Sequence, residues 1–175
     1  TVKDEISVRV HPVMLPSSHP LASVRNAFNA VYVESEAAGQ LMFYGRGAGG
    51  APTASAILGD LVAVTRHRAY STVGYGESDY ADLDIAPVGD VKSQFFVRLH
   101  VADKSGVLAS IAQVFAGEKI SIQTVRQAGL GSDAELVVVT HAATESSLKG
   151  CIKKLAEMEI VSKVESVIRV EGVVA

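Results

Sequence analysis

Two stretches of this chain carry residues whose types and spacing could do chemistry. The first is the run YGRGAGGAPTASAILGD at residues 44–60, in which Gly45, Gly47, Gly49 and Gly50 lead into a helix announced by Pro52. Glycines clear side chains from the approach to a helix start, where the first backbone amides lack partners and the dipole is positive. Such an element can cradle a phosphate or another anion. Arg46 in the same loop fits a contact to a phosphate or a substrate carboxylate, and equally fits a solvated or ion-paired loop arginine.

The second stretch is DKSGVL at residues 103–108, again placed between a strand and a helix. Asp103 can accept from an ammonium group, or it can cap the helix amides. Gly106 lets the backbone turn closely enough for the amides of Gly106, Val107 and Leu108 to hold a carboxylate, with Ser105 beside them. These groups match the two charged ends of an amino acid. Gln123, on the strand that follows, could close the pocket from a second copy of the chain.

Other residues invite less. Gly45, Gly47 and Gly50 satisfy the loose pattern G-x-G-x-x-G. A complete dinucleotide fold also needs a second strand and an acidic residue about 20 positions on. Here the helix passes Arg66, His67 and Arg68 into polar chain, so the loop can form only one wall of a cofactor site. His19 reads as a loop histidine that satisfies backbone groups, and Cys151 as a packing residue on an apolar helix side. The five histidines and one cysteine fall at no metal-binding spacing, and the acidic run at 77–90 lacks the calcium-loop pattern.

The positioning elements follow from hydrophobic period. Residues 6–15 alternate as a half-buried strand, limited by Pro12 and Pro16. Strands over 29–35 and 40–44 flank a tight hairpin, and together with the first they make a sheet needing a cover. A helix over 52–66 places Ala54, Ile57, Leu58, Leu61, Val62 and Thr65 along one side, with Thr53 and Ser55 in its first turn. Residues 70–94, rich in glycine and carboxylates, read as a linker. From residue 95 the period is regular: strand 95–101, helix 107–117, strand 120–127, a turn at 129–133, strand 134–141, a helix carrying Leu148, Cys151, Ile152, Leu155 and Met158, and strand 164–171. That order, βαββαβ, predicts a ferredoxin-like α+β sandwich with both helices on one face. The other face, assigned Phe96, Val125, Val137 and Val139, is apolar enough to require another copy or domain over it.

Composition sets the bounds. With 175 residues, 48% of them apolar, the chain can bury a core in one or two small domains. A net charge of −3 offers no basic surface for nucleic acid, and no apolar run approaches the length of a membrane span. One cysteine suits a reducing cytoplasm. The chain opens on Thr1 and enters strand-like sequence at once, as expected of an excerpt from a longer polypeptide.

Two resemblances join these readings. Residues 95–170, through DKSGVL and the βαββαβ order, resemble the ACT domain, a small-molecule regulatory module of amino-acid metabolism. Ser105 stands where many of its members carry proline. Residues 5–66, through HPLASVRNAFNAVYVES and FYGRGAGGAPTASAILGDL, are similar to the C-terminal part of homoserine dehydrogenase. The resemblance implies a parent oxidoreductase that interconverts aspartate semialdehyde and homoserine with NAD or NADP. It also implies a division into a catalytic and dimerisation segment at 1–69, a linker at 70–94 and an ACT domain at 95–175.

On that mapping Gly47, Ala48, Gly49 and Thr53 approach the cofactor. Asp103, Ser105, Gly106, Val107, Leu108 and Gln123 take an amino-acid effector, with L-threonine expected, for feedback inhibition. No catalytic residue is expected in this chain, since the first nucleotide fingerprint and the catalytic lysine have no match and Lys3 and Lys92 lie outside the matched motifs. The partners implied are an amino acid and further copies of the chain, through the strands and the ACT domain. The competing expectation is an assembly module that dimerises without a ligand.

Overall fold

The computed structural model describes residues 5–71, 82–129 and 134–172. In chain order its elements are β1 (Glu5–Ile6), β2 (Val13–Met14), β3 (Phe28–Ser35), β4 (Gly39–Arg46), α1 (Gly50–Ala69), β5 (Asp84–Ile85), β6 (Lys92–Val101), α2 (Val107–Gly117), β7 (Ile122–Ala128), β8 (Ala134–Thr140), β9 (Ala143–Thr144), α3 (Glu145–Ala156) and β10 (Val161–Val170). Short 3-10 turns at Pro20–Ser23 and Val88–Asp90 complete the set. The chain divides into two compact units, one of residues 1–16 with 83–175 and one of residues 17–82.

The larger unit is built on β6, where Phe95, Val97, Leu99 and Val101 point to one side and are at most 1% exposed. A strand of period two buries one face when helices cover it. Here α2 contributes Val107, Ile111 and Phe115, and α3 contributes Leu148, Cys151 and Leu155, to the same core cluster. Both helices therefore lie on one face. The sheet runs in the order β2-β10-β6-β8-β7, with β9 paired to the beginning of β6. β10 and β8 flank β6 antiparallel, and β7 is antiparallel to β8. This is the predicted ferredoxin-like α+β module. α3 starts where the Thr144 side chain accepts from the Ser147 amide, a cap that fixes its first turn.

Several expectations are corrected. Residues 6–15 form no single half-buried strand and do not join β3 and β4. Instead β1 pairs in parallel with β5, and β2 pairs in parallel with β10, while β3 and β4 form a two-stranded hairpin. Pro12 interrupts the segment, and its partners lie far away in sequence. Of the expected linker, residues 72–81 lie outside the described residues. The rest holds β5, a 3-10 turn and the first residues of β6. The expected turn at 129–133 also lies largely outside, from 130 to 133.

The face of Val125 is corrected as well. It stands opposite Val138, whose side chain is buried beneath the helices, because β7 carries an irregularity between Ile122 and Thr124. One extra residue in a strand reverses which face every later side chain occupies. The helix-free face holds Phe96, Val137 and Val139, and with them Arg98, Glu135 and Arg126. Arg98 sits 5.7 Å from the Phe96 ring and 3.6 Å from Glu135.

In the smaller unit the hairpin register pairs Phe28 with Arg46 and Ala30 with Tyr44. Phe28 and Tyr44 stack at 4.8 Å, and the Arg46 guanidinium lies 5.1 Å over the Phe28 ring. α1 begins two residues earlier than predicted and ends three later, and its apolar side is exposed, Ile57 and Leu61 each at 61%.

Candidate functional site

The glycine loop joins β4 to α1. Gly49 is the N-cap of α1 at φ 128°, a conformation open to glycine and closed to other residues, and no side chain caps the helix. Gly47 has different surroundings. A Cβ there would meet the end of the exposed Asn29 side chain, which would have to swing aside to admit it. Beyond Gly45 and Gly50 the space is open. Thr53 lies in the first turn, its amide bonded to the Gly49 carbonyl at 3.1 Å.

The uncapped start of a 20-residue helix with no acidic residue in its first turn fits an anion such as a nucleotide phosphate. A shallow hollow of about 270 Å³ runs over the hairpin as far as Gly47, and Ala48, Gly49 and Thr53 do not line it. Arg46 is held over Phe28 and is exposed. His19 accepts a hydrogen bond from the Leu21 amide at 3.2 Å through Nδ1 and meets the Tyr32 ring edge-on.

The second loop joins β6 to α2. Gly106 is the N-cap at φ 90°, left-handed, and α2 has no side-chain cap. Asp103 therefore does not cap the helix. Its carboxylate accepts from Gln127 Nε2 at 3.4 Å, so the loop is tied to β7 within one chain. Gln127, not named from the sequence, follows Val125 by two and shares its side of the strand. Gln123 is exposed on β7 at the irregularity. Val107 sinks into the core at 8% exposure, while Leu108 stays at the surface at 46%. The Ser110 hydroxyl and amide both donate to the Gly106 carbonyl, closing the first turn. Residues 103 and 105–108 are thus gathered in one loop, with an exposed carboxylate beside a helix start.

Cys151 is fully buried, and burial pushes its thiol up to about 12, so it is packing and not a nucleophile. Among the described residues no group of three or more His, Cys, Asp or Glu side chains could hold a metal ion, and no helix is long and apolar enough to cross a membrane.

A cluster that the sequence did not announce lies at the other end of β6. There Arg9 donates to Ser93 Oγ at 2.7 Å and pairs with Glu171 at 3.2 Å, and His11 approaches the same carboxylate at 3.8 Å. No local pattern could have signalled it, because the three segments involved are remote in sequence.

A five-stranded path with two helices on one face and an open loop at the first helix start defines a ferredoxin-like module, and residues 95–159 match the ACT domain family. Residues 1–62 match the homoserine dehydrogenase family. The chain is 50% identical over 173 residues to homoserine dehydrogenase of Mycobacterium tuberculosis, covering 95% of this chain and 39% of that enzyme. It is 50% identical over 169 residues to the homoserine dehydrogenase of Corynebacterium glutamicum, covering 97% of this chain and 38% of that one. The crystal structure of a homoserine dehydrogenase from Thiobacillus denitrificans superposes with a TM-score of 0.86 at 33% identity, covering 97% of this chain and 40% of that chain. The chain corresponds to the C-terminal part of homoserine dehydrogenases and spans about two-fifths of their length.

Proposed function

We propose that this chain is the effector-sensing, C-terminal part of an NAD(P)-dependent homoserine dehydrogenase, the oxidoreductase that interconverts aspartate semialdehyde and homoserine. The observation that carries this reading is the tandem order of the two family matches, on a chain half identical to enzymes of that name. The cofactor, NAD or NADP, supplies hydride transfer when bound. The role of this chain toward it is limited to Gly47, Ala48, Gly49 and Thr53, whose loop offers helix-start amides to a phosphate. No residue here is assigned to catalysis, so the chain alone is expected to turn over no substrate. The cytoplasm and a homo-oligomer are the setting.

The ACT module senses an amino acid, L-threonine, through Asp103 on the ammonium group and the amides of Gly106, Val107 and Leu108 on the carboxylate. Ser105 lies beside them, and Gln123 comes from a second copy. What supports this is the uncapped α2 start behind a left-handed Gly106, with the Asp103 carboxylate exposed beside it. Feedback requires the effector to favour one conformation over another, typically by about 1–3 kcal/mol. Calorimetry of this chain with L-threonine and a panel of amino acids tests the reading. Heat specific to L-threonine supports it, and silence at millimolar concentrations retires it.

A second reading, an assembly module without a ligand, draws on Phe96, Val137 and Val139 on the helix-free face. Sedimentation showing a stable dimer, with thermal stability unmoved by every amino acid, would favour it.

A further inference from the structure

Residues 5–14 are held to the rest of the larger unit at three points, and two of them are weak. β1 makes a two-residue parallel pairing with β5, extended by the Ala86 amide donating to the Ile6 carbonyl at 2.9 Å. β2 makes a two-residue parallel pairing with β10, extended by the Glu171 amide donating to the Met14 carbonyl at 3.1 Å. Both strands are exposed, Ile6 at 44% and Met14 at 40%, and no residue of this segment belongs to the buried core. Short edge pairings with little apolar burial open locally at low cost.

The third point is different. The Arg9 guanidinium spans two strands, donating to Ser93 Oγ on β6 while pairing with Glu171 just past the end of β10. Ser93 is 7% exposed, and the Arg9 and Glu171 side chains are 24% and 37% exposed. A charge-assisted contact that reaches a buried hydroxyl is stronger than any single neutral backbone bond of the two short pairings. His11 stands 3.8 Å from the same carboxylate.

We infer that residues 5–16 form a releasable strap on the edge of the sheet, with Arg9 as its lock. When the lock opens, the β10 edge loses its parallel neighbour while the β10-β6-β8-β7 sheet and its helices stay folded. The strap sits at the start of β6, and the 103–106 loop follows its other end, some ten residues away. The strap runs directly into residues 17–82, and β5, which pairs with β1, directly follows them. The inference rests on the Arg9 contacts and the shortness of the two pairings, and stands whether or not an amino acid binds at 103–108.

Site-resolved amide hydrogen exchange on the full chain tests it. The Ala86 and Glu171 amides report the strap, and the amides of Val97 and Val138 report the β6-β8 ladder. The strap amides are expected to exchange faster than the ladder amides in the native chain. In Arg9→Gln the Ala86 and Glu171 amides are expected to accelerate roughly ten-fold with the ladder unchanged. Ser93→Ala, which keeps every charge, should accelerate them by a smaller factor and serves if Arg9→Gln is poorly folded. Strap amides that exchange only together with the ladder, or that ignore both substitutions, would overturn the inference.

Discussion

The Asn29 carboxamide occupies the space that a side chain on Gly47 would need. Asn29 is exposed and its carboxamide can swing aside, so the obstacle is a soft one. Gly47→Ala is expected to destabilise the chain by less than about 1 kcal/mol in urea denaturation, the cost of displacing that side chain. Removing the obstacle should restore much of the loss, so Asn29→Ala with Gly47→Ala should be more stable than the two single losses added together. Strict additivity would show that the clash is not the cause.

Thr140 is fully buried, and its hydroxyl accepts from the Phe95 amide at 3.0 Å. Thr140→Val keeps the shape and leaves that amide unsatisfied, at an expected cost of about 1–3 kcal/mol. Thr140→Ser keeps the acceptor and loses only a methyl. Equal denaturation midpoints for the two variants would count against the hydrogen bond.

At Asp103 the carboxylate is exposed, with Gln127 at 3.4 Å and no place in the core. Asp103→Asn should lower amino-acid affinity by roughly ten-fold or more in calorimetry, by removing the charge that meets an ammonium group. The thermal midpoint without ligand should stay put. A loss of stability that matches the loss of affinity would recast Asp103 as a structural residue.

Burial moves the Cys151 thiol from 9.0 to about 12. The folded chain keeps a proton that the unfolded chain releases, so the stabilisation is complete below pH 9 and drains away as pH rises toward 12. Two readouts follow. An alkylating reagent at pH 8 should label Cys151 only at the rate of unfolding, and Cys151→Ala should flatten the alkaline fall in stability. Rapid labelling of the native chain would contradict the burial.

The module was legible because its alternation is dense. Phe95, Val97, Leu99 and Val101 announce a covered strand, and the spacing of Leu148, Cys151 and Leu155 announces the helix that covers it. The face of Val125 escapes the apolar pattern for a physical reason, since an irregular residue near Ile122 inverts the faces downstream and leaves no mark in that pattern. Residues 6–15 misled for another reason. Their alternation resembles that of a buried strand, yet their partners, β5 and β10, are set by tertiary contact and not by neighbours. The loop residues at 103–108 were found because glycine beside a helix start is a local signal. Asn29 behind Gly47 and Gln127 beside Asp103 were not found, because each lies on another strand.

The parallel pairing of Val13 with Arg169 also bears on how the chain acquires its shape. Antiparallel neighbours such as β7 and β8 meet after closing a short loop, whereas these two residues must find each other across most of the polypeptide. The extra closure entropy is about 3 kcal/mol relative to a hairpin, for a ladder only two residues long. Such a contact cannot help nucleate folding and must be added to a sheet already in place. During synthesis, residues 5–16 are made before the sheet edge they join and are fastened to it last.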